Sequence, residues 1–262
     1  MLGAIIGDIV GSIYEFNNIR TKDFLFFSPR CFFTDDSVMT IAISNALIAC
    51  NGDYSKLQQK TIECMQDYGM VYPNLSYGCS FSNWLDSENP KPYNSYGNGA
   101  AMRVSPVAYF ANSLAEVKQL SYLVTSVTHN HEEGIKGAEA TAVAIWMAKN
   151  SYTKEEIKDY IERNYYSLNF DYEDLRQNYK FNEICQDTVP QAIYCFLISN
   201  SFEDAIRTGI SIGGDSDTLC AITGAIAEAY YGISNDMKDT ALSYLDSTLT
   251  KDYQNFLKHK LG

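Results

Sequence analysis

A Gly-Gly pair followed by two acids and a threonine, at positions 213–218, constrains this chain more than any other feature. The segment after it, from Leu219 to Ala229, consists mostly of small apolar residues and predicts a buried helix. Asp215 and Asp217 then lie at or just before the first turn of that helix. The two glycines permit backbone angles that other residues avoid, so another group can approach the chain closely here.

A second cluster of the same kind lies far upstream, where the sequence Thr-Asp-Asp-Ser at 34–37 precedes another apolar helical pattern. If the two helix starts converge, four carboxylates and two threonine hydroxyls face one point, and so many like charges require a cation. Hard oxygen ligands favour magnesium, calcium or manganese over zinc. Helix capping remains an alternative for each cluster alone, because Asp, Ser and Thr are ordinary cap residues and acids complement the helix dipole.

Composition restricts the class of protein. The chain has 262 residues, of which 46% are hydrophobic and 20% charged, and this indicates one globular domain spanning 1–262. The net charge of −12 argues against nucleic acid or an anionic membrane as the main partner, but not against a small phosphate-bearing molecule. No apolar run is long enough to span a membrane.

The seven cysteines are odd in number and form no Cys-x-x-Cys pair, which favours reduced thiols over disulfides or a zinc knuckle. We therefore expect a cytoplasmic protein. A monomer is favoured, although the sequence does not determine the oligomeric state.

Helical periodicity dominates the chain and no alternating strand pattern occurs, so we predict an all-α, compact, orthogonal bundle of ten to twelve helices. Irregular connections are predicted at 16–33, at 69–99 except for helical periodicity around 81–85, and at 167–186, and nearly everything else from Val104 onward is predicted to be helical. Helices are predicted at 1–15, 34–50, 55–68, 113–128, 132–149, 153–166, 188–200, 201–212, 219–229, 236–249 and 252–260.

The N-terminal segment carries glycines at positions 3, 7 and 11, which form one smooth stripe on a helix and predict very close helix packing. Asp8 and Glu15 lie on a different face of that helix. Asp8 either accepts hydrogen bonds from a neighbouring helix end or serves the site. Glu15 lies where the helix dipole disfavours an anion, so it is a candidate general acid or base.

The connection at 69–99 is long for a compact domain, and such loops are usually functional. It ends in Ser95-Tyr96-Gly97-Asn98-Gly99, whose alternating Gly and Asn suit anions and hydroxyls, although a simple turn explains the pattern equally well. His129 and His131 flank a polar break between helices. Zinc binding there lacks a neighbouring cysteine, so polar contacts to a ligand or a helix cap are preferred.

Four motifs, in this order, resemble those of the ADP-ribosylglycohydrolase family, which includes the dinitrogenase-reductase-activating glycohydrolases and the eukaryotic ADP-ribosylhydrolases. They are Gly3-Ala4-x-x-Gly7-Asp8-x-x-Gly11-Ser12-x-x-Glu15, Phe33-Thr34-Asp35-Asp36-Ser37, Tyr96-Gly97-Asn98-Gly99-x-x-Met102-Arg103 and Gly213-Gly214-Asp215-Ser216-Asp217-Thr218.

The resemblance implies an all-helical domain with two Mg²⁺ ions, or Mn²⁺, in a central cleft. Thr34, Asp35 and Asp36 would bind metal from one side, and Asp215, Asp217 and Thr218 from the other. Glu15 and Asp36 are the implied catalytic residues. The implied substrate-binding residues are Ser95, Tyr96, Gly97, Asn98, Gly99, Met102, His129, Gly214 and Ser216.

The expected function is magnesium-dependent hydrolysis of the glycosidic bond between ADP-ribose and an acceptor on a protein or small molecule. Two alternatives remain: a catalytically silent family member that binds ADP-ribose or has a structural role, and a metal-dependent nucleotide phosphohydrolase. The chain is short for the family. Its sequence does not determine the acceptor residue, the physiological target or the stereochemical course.

Overall fold

A computed structural model describes residues 1–261, and within that range the regular secondary structure is entirely helical, as predicted. A 3-10 turn covers Tyr54–Lys56. The α-helices are α1 (Leu2–Gly11), α2 (Asp35–Cys50), α3 (Leu57–Val71), α4 (Cys79–Leu85), α5 (Gly99–Met102), α6 (Val107–Phe110), α7 (Leu114–Thr125), α8 (Glu132–Lys149), α9 (Lys154–Asn164), α10 (Tyr172–Asn178), α11 (Cys185–Ile198), α12 (Phe202–Ile212), α13 (Ser216–Tyr231), α14 (Asn235–Leu242) and α15 (Ser247–Leu261).

Helix α13 is the centre of the fold. It is buried from Ser216 to Ala227 and packs against α1, α8, α11 and α12. A helix that is apolar on all sides is stabilised most when every face is covered, because each covered face removes apolar surface from water. The N-terminus of α13 is thereby held inside the molecule.

The glycine stripe of α1 faces α13, which confirms the predicted close packing. A methyl group on Gly7 would collide with the backbone carbonyl of Cys220, and one on Gly11 would lie 2.5 Å from the Cα atom of Asp217. Likewise, a methyl group on Gly224 of α13 would collide with the backbone carbonyl of Gly3. Since the two backbones touch, the position of α1 is determined closely, and α1 carries Asp8 to the start of α2.

Several helix boundaries were predicted wrongly. Helix α1 ends at Gly11, so Glu15 lies in the following turn and not on the helix. Helix α11 begins at Cys185 and contains Pro190, because the Cys185 N–H donates to the carbonyl of Tyr96 and holds an earlier start. Helix α14 ends at Leu242, before the predicted end at 249, and α15 begins at Ser247. The Asp246 carboxylate holds the start of α15 by accepting from the N–H groups of Thr248 and Leu249, both at 2.9 Å.

The count of ten to twelve helices was too low, because the described residues contain fifteen α-helices, four of them of seven residues or fewer. These are α4, α5, α6 and α10. Helices this short show at most two turns of periodicity, so their pattern is hard to distinguish from a loop.

All seven cysteines are free, as predicted. Among the described residues, no helix has both the length and the apolar character that a membrane crossing needs.

Candidate active site

The starts of α2 and α13 meet in one cleft. The Thr218 hydroxyl, in the first turn of α13, donates a hydrogen bond of 3.2 Å to Oδ2 of Asp36 in the first turn of α2. Carboxylate oxygens of Asp8, Asp36 and Asp217 lie within 4.8 Å of one another. Three segments that are far apart in the sequence therefore form one buried acidic site.

Asp8 caps the start of α2. Its carboxylate accepts hydrogen bonds from the N–H groups of Thr34, at 2.9 Å, and Ser37, at 3.1 Å. It also accepts from the hydroxyls of both residues. The alternative in which Asp8 binds a neighbouring helix end is thus confirmed. Asp36 Oδ2 accepts a long hydrogen bond of 3.5 Å from the Thr34 hydroxyl as well as the one from Thr218, whereas its Oδ1 atom is buried without a hydrogen-bond partner.

The start of α13 is built by a glycine turn. Gly213 and Gly214 have φ angles of +71° and +82°, which disfavour residues with side chains. The amide group of Asn18 holds the turn by accepting from the Gly214 N–H at 2.8 Å and donating to its carbonyl at 2.9 Å. Asp215, at the N-cap position, makes no side-chain capping bond to α13 and accepts from Asn98 Nδ2 at 2.7 Å.

A second group of acids shares Asp217 with the first. Carboxylate oxygens of Glu15, Asp215 and Asp217 also lie within 4.8 Å of one another. Asp217 therefore lies between two sets of acids, one reaching to α2 and one reaching to the turn after α1. Such an arrangement offers ligands to two neighbouring cations with one carboxylate in common.

The acids strongly oppose one another's ionisation. Burial, followed by the charge of Asp217, raises the pKa of Asp35 and Asp36 well above the ordinary value, although Asp35 keeps part of its surface exposed. Burial and the charge of Asp215 raise the pKa of Asp217 in the same way. Burial and Asp217 raise the pKa of Glu15 to about 8. Bound cations would favour the ionised forms.

The donors fit a divalent cation with hard-ligand preference. The two acid groups contain carboxylates only, with no His or Cys in either, and Asp36 Oδ1 lacks any other partner. His131 lies outside both groups, and its Nδ1 accepts from the N–H of Glu133 at the start of α8. Its role as a helix cap agrees with the preferred alternative to zinc.

The loop at 95–99 is attached to the start of α11. The Asn98 N–H donates to the carbonyl of Glu183 at 2.8 Å, and the Gly97 N–H donates to Ser95 Oγ at 3.1 Å. The Asn98 side chain is buried and bonds Asp215 and Thr188. Asn98 therefore orients an acid of the α13 start.

Arg103 provides the cleft with a buried positive charge. Its guanidinium donates to Thr128 Oγ1 at 2.6 Å, lies 3.3 Å from Nδ1 of His129 and packs over the ring of Phe81. Burial lowers the pKa of His129 well below its ordinary value, so this imidazole is neutral. A wall with one fixed cation is suited to an anionic part of a ligand.

Most of the predicted site residues line the cleft, which has a volume of about 290 Å³, near the lower limit of small-molecule sites at about 300 Å³. These are Glu15, Asp35, Asp36, Ser95, Gly97, Asn98, Gly99, Met102, His129, Asp215, Asp217 and Thr218.

Four predicted residues are not brought to the cleft surface. Thr34 donates to Asp8, and Ser216 is buried against Asn18. Gly214 packs against the ring of Tyr179, and Tyr96 is 44% exposed with its ring against His131. These four residues contact neighbouring residues away from the cleft surface.

Sequence reasoning missed several lining residues, although most of them lie in or next to the loop at 69–99 that it marked as functional. Arg103 stands at the end of the third motif but was given no role, although a lone arginine in an apolar segment is unusual. Glu183 had no signal, since its segment shows no periodicity. The missed residues are Ser76, Gly78, Cys79, Ser80, Phe81, Tyr93, Arg103 and Glu183.

Comparison with known proteins identifies the relatives of this chain. The family model described as ADP-ribosylglycohydrolase matches residues 1–255. ADP-ribosylhydrolase ARH3 of Homo sapiens is 27% identical, over 89% of this chain and 84% of that protein. ADP-ribosylarginine hydrolase Tri1 of Pseudomonas putida (strain GB-1) is 25% identical, over 89% of this chain and 70% of that protein.

The fold has a counterpart among solved structures. A chain of an ADP-ribosylglycohydrolase-related protein complex superimposes with a TM-score of 0.71 and 18% sequence identity, and the match covers 99% of this chain and 95% of the other. At that identity the likeness concerns the fold alone.

Proposed function

The chain belongs to the ADP-ribosylglycohydrolase family and is an ADP-ribosylhydrolase, and we propose that it cleaves the glycosidic bond between ADP-ribose and an acceptor in a Mg²⁺-dependent reaction. The single observation that carries this proposal is the pair of acid groups sharing Asp217. Carboxylates this close and this buried are costly without a cation. Capping accounts for Asp8, which caps α2, but not for Asp36 or Asp215.

The metal would be held mainly by Asp36 and Asp217 on one side and by Asp215 and Asp217 on the other, with Asp35 at the exposed edge. We propose two Mg²⁺ ions, with Mn²⁺ as a substitute, because every ligand is a hard oxygen atom. When bound, they supply Lewis acidity toward the ribose oxygens and neutralise the clustered carboxylates.

Glu15 is the proposed proton-transfer residue. It is half-buried at the cleft edge, beside Asp215 and Asp217. A carboxyl at this position can take a proton from water and pass it to the departing atom. In the overall reaction, the hydroxyl of water bonds to the anomeric carbon, the bond to the acceptor breaks, and the remaining proton goes to the acceptor atom.

Arg103 and the loop at 95–99 are the proposed diphosphate-binding elements. Arg103 is the buried arginine of the cleft wall, and its contacts with Thr128 and Phe81 hold the guanidinium in place before a ligand arrives. Fixed charges bind an anion with little loss of side-chain entropy.

Product analysis tests this function. The purified chain is incubated with peptides bearing ADP-ribose on arginine or serine and with nucleobase-linked ADP-ribose, in Mg²⁺ and in excess EDTA, and products are identified by mass. We expect free ADP-ribose in Mg²⁺ and almost none in EDTA. Release of AMP would indicate a phosphohydrolase, binding without release would indicate a silent member, and undiminished release in EDTA would refute the metal dependence.

A further inference from the structure

Asn18 lies in the connection between α1 and α2, shortly after Glu15, and its side chain is half-buried. Its amide nitrogen Nδ2 donates to the backbone carbonyls of Tyr14 at 2.7 Å and Glu15 at 3.1 Å. The same nitrogen donates to the Gly214 carbonyl at 2.9 Å, and the amide oxygen accepts from the Gly214 N–H at 2.8 Å. One side chain therefore joins the segment that carries Glu15 to the turn that precedes Asp215.

Two other side chains contact the same turn, and neither makes the same connection. The Ser216 hydroxyl lies 3.3 Å from the Tyr14 carbonyl, which is a weaker link between the two segments. Arg20 donates to the carbonyls of Ile212 and Tyr179, so it holds the turn from the side of α12. Neither of these Arg20 bonds reaches Glu15.

The turn packs directly against the two side chains that hold it. A methyl group on Gly213 would lie 2.8 Å from Oδ1 of Asn18 and 2.7 Å from Nη1 of Arg20. Only a glycine leaves enough space for this approach, and its φ angle of +71° also favours glycine. Because the backbone and the amide are in direct contact, the position of one constrains the position of the other.

The acids on either side of Asn18 need to be held in place. Carboxylate oxygens of Glu15, Asp215 and Asp217 lie within 4.8 Å of one another, and like charges at this distance repel. The repulsion tends to separate Glu15 from the two aspartates, so backbone contacts have to keep the segments together. Asn18 supplies such contacts without being one of the residues that line the cleft.

We propose that Asn18 is a positioning residue, whose amide fixes the distance between Glu15, the proposed proton-transfer residue, and the aspartates at the start of α13. This inference rests on the proposed function. Asn18 acts through these acids and not on the substrate. Because a shift of about 1 Å in a reacting group can lower a rate about a hundredfold, loss of the amide should act on kcat more than on KM.

Substitutions of Asn18 test this role with whichever ADP-ribose substrate the wild-type protein hydrolyses fastest. Asn18→Ala should lower kcat roughly tenfold to a hundredfold in saturating Mg²⁺ and change KM less than about twofold. Asn18→Asp keeps the acceptor for the Gly214 N–H but loses the donor to the three carbonyls, so it should lose as much activity as Asn18→Ala.

Two variants separate positioning from a general effect on the fold. Asn45→Ala is the matched control, because Asn45 is also half-buried and donates to the Tyr68 hydroxyl at 2.8 Å, between α2 and α3. It should leave kcat and KM unchanged. Arg20→Ala loosens the turn without releasing Glu15, so it should lower kcat by no more than about threefold. Equal losses in Arg20→Ala and Asn18→Ala would contradict the special role of Asn18.

A double-mutant cycle shows whether Asn18 acts through Glu15. The change Asn18→Ala is made in the wild-type protein and in the Glu15→Gln protein, and kcat is compared in each background. Coupled residues give non-additive effects, so the added loss in the Glu15→Gln background should be less than about twofold. The same fold loss in both backgrounds would overturn the proposal.

Metal binding provides a measurement that does not depend on turnover. Calorimetric titration of the metal-free proteins with Mn²⁺ should show affinity about tenfold weaker in Asn18→Ala than in the wild type, because Asp215 and Asp217 are held less firmly. Asn45→Ala should bind Mn²⁺ as the wild type does. Unchanged Mn²⁺ affinity in Asn18→Ala would also overturn the proposal.

The outcomes distinguish this inference from the proposed function. Release of ADP-ribose from none of the substrates would refute the function, and the Mn²⁺ titration would still test whether Asn18 holds the acids. Wild-type kcat in Asn18→Ala or Asn18→Asp would refute the positioning role alone. Circular dichroism monitors folding, and Asn18→Gln, which moves the amide by one methylene group, replaces Asn18→Ala in every comparison if that variant is unfolded.

Discussion

The starts of α2 and α13 have nearly the same sequence pattern, hydroxyls and paired acids before an apolar helix, yet the structure builds them differently. At α2 the N–H groups of Thr34 and Ser37 are satisfied by Asp8, a residue of another helix. At α13 a glycine turn held by Asn18 replaces a side-chain cap. In both cases a group outside the first turn satisfies backbone groups of the helix start, although Asp217 Oδ1 also accepts from the N–H of Thr218 at 2.9 Å.

This comparison shows what a helix start needs if its acids are to bind a ligand. A carboxylate that caps its own helix already has partners, and it loses them when it binds a metal. When another residue or a turn satisfies the backbone, the carboxylate stays buried and under-bonded, as Asp36 Oδ1 is. A bound cation would offset the cost of that state.

The largest effect is expected for Asp217→Asn, because Asp217 belongs to both acid groups. We expect kcat/KM to fall roughly 10³-fold and Mg²⁺ binding to weaken together with it. In EDTA the variant should melt at a higher temperature than the wild type, since it carries one fewer opposing charge. Activity assays, calorimetric titration with Mg²⁺ or Mn²⁺ and thermal melting measure the three quantities.

Asp239→Asn, an exposed acid on α14, is the matched control for that change. It should alter none of the three quantities. A fully active Asp217→Asn protein with unchanged metal affinity would show that the acid groups are structural.

The next largest effect is a difference in the free energy of unfolding between variants at the two helix starts. Asp8→Ala leaves buried N–H groups of Thr34 and Ser37 unpaired, so the free energy of unfolding in EDTA should fall by about 2–3 kcal/mol. Asp215→Ala should cost less, about 1 kcal/mol, because Asp215 does not cap its helix and its loss unpairs one hydrogen of Asn98 Nδ2, which keeps its bond to Thr188. Urea unfolding measures both, and equal losses would contradict the difference in capping.

A smaller effect is expected from pH. Glu15 has a pKa raised from 4.5 to about 8 in the folded, metal-free protein, so between these values the folded state binds more protons than the unfolded chain. The free energy of unfolding should therefore fall as pH rises through this window in EDTA. Asp8 and Asp215, with pKa values of about 6, add to the fall in its lower part.

Melting temperatures from pH 5 to 8.5 would measure this dependence. Mg²⁺ should reduce the slope because it favours the ionised carboxylates, and Glu15→Gln in EDTA should flatten the part above about pH 6. Stability that increases with pH in EDTA would contradict the raised pKa values.

The smallest effect concerns a helix start that has only a capping role. Thr153 and Glu156 form a capping box at the exposed start of α9. Thr153→Ala should lower the free energy of unfolding by about 1 kcal/mol and leave activity unchanged. A loss of turnover greater than twofold would mean that capping and the site are coupled more widely than the comparison implies.

Long, strongly patterned segments were predictable, and short ones were not. Helices α2, α8 and α12 were predicted close to their observed bounds because each shows several turns of periodicity and a recognisable cap. The start of α11 was predicted too late, because a tertiary hydrogen bond from the Cys185 N–H determines it. The end of α14 was also predicted too late, because a capping bond to Asp246 begins the next helix. Such bonds depend on which segments become neighbours.

The sequence by itself determined the helical class, the close approach of α1 to another helix and the presence of two acidic helix starts, since periodicity, caps and glycine spacing are local properties. Only the tertiary structure decided that α13 is the partner of α1, that Asp8 caps α2, and that Asn18 joins the segment of Glu15 to Gly214. These contacts join residues far apart in the chain, and they depend on packing angles that no local pattern specifies.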